Sequence, residues 1–179
     1  MKKIIILITL VISFAFSNNE NGWNSLHNAV YNGNIQDIEI ALKNNSIQSV
    51  TTAGLSPLHI AIKKRDLNII TYLLEIGADI NAKDAKGFTP IYYAVVMNHL
   101  PIAKLLLERN ADTSIPNNIG NTPMHQIAFK NRVEMFELFV QYGAKTDIQN
   151  PNGLKPIDFA IEGESKDLIL LLLNSRTTN

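Results

Sequence analysis

The chain is 179 residues long, with sixteen basic and sixteen acidic side chains, and a net charge of zero gives it no bulk attraction for nucleic acid or an anionic membrane. Its 46% of apolar residues is enough for a folded core, and nothing in the composition points to disorder. With no cysteine, a disulfide framework, a thiolate metal ligand, a cysteine nucleophile and an N-terminal lipidation site are all excluded.

The first element is a leader. Residues 1–17, "MKKIIILITLVISFAFS", open with Lys2 and Lys3, continue through an apolar run from Ile4 to Phe16, and end in Ala15-Phe16-Ser17 before polar sequence. That is the layout of a signal peptide, with small residues where the peptidase reads. The run is short for a membrane span, so an uncleaved anchor is the lesser reading. Removal of this segment takes two lysines and no acid, leaving fourteen basic against sixteen acidic side chains, a net −2. The expectation is export, to the periplasm first and to the medium as the alternative. The start "MKK" and the Ile-, Asn- and Lys-rich composition read as bacterial.

After a short segment at 18–20, a repeat governs the rest. Gly54, Gly87, Gly120 and Gly153 stand 33 residues apart, and Pro57, Pro90, Pro123 and Pro156 keep step with them. Gly22 precedes Gly54 by 32, and "SLHNA" at 25–29 falls in the frame of "PLHIA" at 57–61. Five units follow, at 21–52, 53–85, 86–118, 119–151 and 152–174, with a tail at 175–179. Where a Ser or Thr precedes the Pro, as at Ser56 and Thr89, a capped short helix is predicted. A second helix follows with apolar residues at helical spacing, as in Leu67 to Ile76. It ends at Asn45, Gly77, Asn110 or Gly143, residue types that close helices in the left-handed conformation. The turn inside each pair falls at Gly33, Arg65, Asn98, Asn131 and Glu164, where Arg65 and Glu164 would be strained by about 1–2 kcal/mol. Polar turn residues connect the pairs. Unit one lacks the Pro and has a more polar second helix, as an N-terminal cap requires. The last unit ends in six consecutive apolar residues, Leu168 to Leu173, either partly exposed as a docking edge or packed on both sides by the short tail.

This period, with "SPLHIA" and its variants "TPIYYA", "TPMHQI" and "KPIDFA", resembles the ankyrin-repeat family from residue 21 to about 174. The resemblance implies an all-α solenoid of about five helix-turn-helix units joined by β-turn or hairpin loops. It also implies that His27, His59 and His125, with Tyr92 and Asp158 at the same position, bond within and between loops as structural residues. A catalytic base is needed once, and side chains one repeat apart cannot share a metal ion. His99 is likewise assigned to scaffold. Asp79 and Asp112 recur at one position as loop-stabilising residues.

In that family the concave face, made of loop tips and first helices, binds another protein. Carried onto this chain, it takes Trp23, Tyr31, Leu55, Lys63, Lys64, Phe88, Val96, Met97, Phe129 and Lys130. Aromatic residues concentrate binding energy on desolvation, whereas the opposing reading folds Trp23 or Phe88 onto its own loop. The lysines are solvated charges that would suit an acidic partner. No nucleophile elbow, zinc helix, phosphate loop or carboxylate pair is present, so no enzyme, cofactor, metal or small-molecule substrate is expected. The expectation is a monomeric protein binder, with an inhibitory or immunity-type role as a specialisation and, as alternatives, a secreted effector that binds a host protein or a membrane-anchored envelope scaffold.

Overall fold

The computed structural model describes residues 21–175; the expected signal peptide at 1–17 and nearly all of the tail lie outside the described residues. Ten helices and no strand occur among the described residues, the all-α class expected. The chain divides between Ala78 and Asp79 into two compact units. The first holds α1 (Ser25–Asn32), α2 (Ile35–Leu42), α3 (Pro57–Lys64) and α4 (Leu67–Glu75). The second holds α5 (Pro90–Val96), α6 (Leu100–Glu108), α7 (Pro123–Phe129), α8 (Val133–Gln141), α9 (Pro156–Glu162) and α10 (Lys166–Ser175). Within the first unit, α1 packs on α2 and α3, and α3 on α4. Within the second, the first helices α5, α7 and α9 form one layer, and the second helices α6, α8 and α10 form another.

The caps explain the starts of these helices. Ser56 Oγ accepts from His59 N, and Thr89 Oγ1 from Tyr92 N, while Pro57 and Pro90 occupy the first turn, where a missing N–H costs nothing. The second helices are capped by other means: Asn34 and Asp66 each accept two backbone N–H groups, and His99 Nδ1 accepts from Ile102 N at 3.3 Å. His99 is thus a helix cap, a role its residue type does not advertise.

Left-handed residues end them. Gly33, Arg65, Asn98, Asn131 and Glu164 all have φ between 50° and 74°, so the strain expected at Arg65 and Glu164 is present. Gly77, Asn110 and Gly143 close the second helices in the same conformation. Asn45 departs from that expectation. It closes α2 with its side chain, whose amide donates to Ala41 O at 2.7 Å and Ser25 Oγ at 2.8 Å.

The first core is Leu26, Val30, Ile38, Leu58, Ile62, Ile69, Ile70 and Leu73; the second includes Ile91, Val95, Ile102, Leu106, Met124, Ile127, Phe136, Phe139 and Leu168. Full burial of each such side chain contributes about 1.5–3 kcal/mol. In α10, Leu168 and Leu172 are buried while Leu170 and Leu173 are exposed among the described residues.

A series that sequence reasoning missed holds the loops. Thr51, Asp84, Asn117 and Asn150 are spaced 33 apart and buried, and each side-chain oxygen accepts from the N–H four residues on. The last three also accept from the N–H two residues on. Each loop therefore tightens around one buried polar side chain. The loops are rungs as well: Thr52 N donates to Asn21 O in the first unit, and Asn118 N to Lys86 O in the second. Asp79 and Asp112 accept from Asn81 N and Ser114 N, the loop role expected of them.

Candidate protein-binding faces

The repeated histidine position sits at the third residue of each first helix, beneath the loop tip. His27 Nδ1 accepts from Asn24 N at 3.1 Å and His125 Nδ1 from Thr122 N at 3.1 Å. With Nδ1 an acceptor, the proton lies on Nε2, which donates to Ser49 O in one ring and Leu154 O in the other, each at 3.2 Å. Burial disfavours the imidazolium and holds both pKa values below 6.5, an effect the carbonyl contacts offset in part. His59 Nδ1 accepts from Ser56 N at 3.2 Å. At the two other positions the job is kept by different chemistry. Asp158 Oδ2 accepts from Lys155 N at 2.7 Å, and Tyr92 OH accepts from Asn117 Nδ2 at 3.2 Å. Burial pushes the Tyr92 phenol up to about 12, so it stays protonated. These five side chains are spent on the scaffold.

The residues assigned to binding fall into separate groups in the two units. In the first unit, Trp23, Tyr31 and Lys64 form one cluster. The Tyr31 ring stands edge-on to Trp23 at 5.6 Å, and Lys64 Nζ lies 4.0 Å from the centroid of Tyr31. Trp23 is half-buried against His27 as well, with centroids 6.2 Å apart, whereas Tyr31 is 49% exposed. Lys63 and Lys64 are exposed and Leu55 is half-buried.

The second unit is organised differently. Phe88 is half-buried and stacks on Tyr92 at 4.5 Å and 10°, with Tyr93 edge-on at 6.0 Å. Tyr93 OH donates to Asp84 Oδ2 at 2.8 Å, so the ring stack rests on the buried carboxylate that shapes the loop. Phe88 thus packs on the first turn of α5 and keeps part of its ring in water. Val96 is 46% exposed, Met97 and Phe129 are half-buried, and exposed Lys130 places Nζ 4.8 Å from the Phe129 centroid. Phe159, which sequence reasoning missed, packs its edge on His125 at 5.0 Å. Away from the tips, a groove of about 470 Å³ runs between α6 and α8, lined in part by Leu100, Lys104, Glu134 and Leu138.

No group of three His, Asp or Glu among the described residues could hold a metal, and no described helix is long and apolar enough to cross a membrane. What the two units offer is amphipathic surface: rings with one edge in water and cations above them.

A family model described as ankyrin repeats (3 copies) matches residues 4–84 and 26–117, and one described as ankyrin repeat matches 119–151. No curated protein matches the chain. Ankyrin repeats are typically non-enzymatic modules that bind another protein. The period, the paired helices and the family models thus agree, and the chain belongs to the ankyrin-repeat family of protein-interaction modules.

Proposed function

We propose that this protein is an exported, monomeric binder that holds another protein through its loop tips and first helices, with no cofactor and no turnover. The observation that carries the binding face is Tyr31, half in water yet fixed by Trp23 and Lys64. A ring already immobilised in its own fold loses little entropy when a partner covers it, and such rings dominate interface energies. Val96 and the Phe129–Lys130 pair extend the same type of surface in the second unit. Export rests on the leader-like residues 1–17. A binder that blocks a toxin or another envelope protein is the natural specialisation. A secreted effector would differ in being recovered from the medium, and an anchored scaffold in keeping its leader.

The test places a photo-crosslinking amino acid at Tyr31 and, as control, at Asn68, exposed on α4. The chain is expressed in its own cells, and mass spectrometry reads both the crosslinked species and the first residue. One dominant protein captured from position 31 and not from 68, on a chain beginning at Asn18, is the expected result. Equal capture from both positions would remove the binding face. A chain still carrying Met1 would remove export.

A further inference from the structure

We infer that the first unit takes an acidic segment of its protein partner, laid over Tyr31 and the end of α3; this rests on the binder reading above. Up to Ala78 the sequence holds five acids, Glu20, Asp37, Glu39, Asp66 and Glu75. Asp37, Glu39 and Glu75 lie on α2 and α4, Asp66 caps α4, and Glu20 lies outside the described residues. The inner helices α1 and α3 and the loops at 21–24 and 43–56 contain no acid at all. At the end of α3 stand Lys63, Lys64 and Arg65, consecutive and all exposed, with Lys64 over the half-exposed ring of Tyr31 and Asp66 directly after them.

Helix stability alone does not call for this pattern. Two lysines in the last turn of α3 complement the helix dipole. That effect explains neither the exclusion of acids from two helices and two loops nor a cation kept over an aromatic ring. Arg65 adds a third sign. It sits left-handed at φ 59°, where Gly33, Asn98 and Asn131 occupy the equivalent turns with less strain.

The size of the patch selects among anions. Three cations in a segment, 21–78, whose four basic and four acidic side chains cancel cannot supply the many phosphate contacts that nucleic acid binding requires. A polyanion would also meet the acids of α2 and α4 within a Debye length or so. A short run of Asp and Glu, with one apolar side chain to cover Tyr31 and Trp23, matches both the charge and the ring. Such complementarity steers encounter and fixes register.

The full-length protein is used to select from a random dodecapeptide library, and selected peptides are sorted by whether Tyr31→Ala abolishes their binding. The Tyr31-dependent peptides are expected to carry Asp and Glu about threefold above the input library, and to lose about tenfold or more in affinity to a K63E/K64E/R65E variant. A K63Q/K64Q/R65Q variant should lie between, and melting curves of both variants exclude unfolding as the cause. Tyr31-dependent peptides without acidic enrichment would overturn this inference and leave the binder reading intact. An absence of Tyr31-dependent peptides would overturn both. Tighter binding of an oligothymidylate or of phosphatidylglycerol vesicles than of the peptides, in about 0.15 M salt, would overturn the inference in favour of a nucleic acid or a membrane.

Discussion

A histidine ring that accepts a hydrogen bond from its own helix cap can do so only while it is neutral. His27 and His125 are in that position, with Nδ1 facing a backbone N–H and Nε2–H facing a carbonyl. Their folded pKa values lie below the unfolded 6.5, so the unfolded chain binds more protons as the solution acidifies. Stability from these rings is complete above about pH 6.5 and is lost as the pH falls through the lower folded values. Thermal melts between pH 7.5 and 5 should therefore show a falling Tm. The His27→Gln, His125→Gln double variant should start lower and fall less steeply, and an unchanged slope would assign the effect to carboxylates. His59→Ala should cost about 1–3 kcal/mol in urea unfolding, because Ser56 N is left buried without its acceptor. Phe88 belongs with these residues. Its stack on Tyr92 predicts a loss of about 2–3 kcal/mol for Phe88→Ala, less than a full core deletion because one side of the ring meets water. If Phe88→Ala spared stability and weakened only partner binding, the stack would be incidental.

Helices and loops here are set by single positions that recur, and how legible each is depends on whether the residue type recurs with it. The glycine and proline series keep one residue type, so spacing alone places the period, the paired helices and the turns. It places the inner turn as well, because the exceptions Arg65 and Glu164 stand out against Gly and Asn. The loop series at 51, 84, 117 and 150 escapes such reading because Thr, Asp and Asn share only a short side chain with an acceptor oxygen. His99 escapes it as a cap because its helix-starting role belongs to one ring nitrogen in one rotamer. The candidate site is legible as a set of positions and not as contacts: the family resemblance assigns both Tyr31 and Phe88 to binding, but only packing separates a ring under a lysine from a ring stacked on a tyrosine. The element scale gives its own test. Glu164→Gly relieves a left-handed Glu at φ 52° and should stabilise by about 1 kcal/mol. Asn150→Ala removes the acceptor for Asn152 N and Leu154 N, together with the amide bond to Asn121, and should destabilise by about 1–3 kcal/mol.

At the scale of the whole molecule, what a repeat position contributes depends on its neighbours more than on its residue type. A pair of short helices cannot bury its apolar face alone, so each unit relies on the next to cover it. One position shows the rule and its limit. Val30, Ile62, Val95 and Ala128 occupy equivalent places near the ends of α1, α3, α5 and α7, and none is more than 1% exposed. Ile161, the same position in α9, is 59% exposed, and α9 is the last first-type helix among the described residues. Ile62 and Ile161 are the same residue in the same frame, one buried and the other in water. Ile62→Ser buries a hydroxyl and opens a cavity, which should cost more than about 3 kcal/mol. Ile161→Ser changes a surface already in water and should stay within about 0.5–1 kcal/mol. Urea unfolding of the two variants decides the matter. Equal losses would mean that Ile161 is covered in solution by something outside the described residues, and repeating the measurement across protein concentrations would separate a second copy from a segment of the same chain, since only the former makes stability depend on concentration.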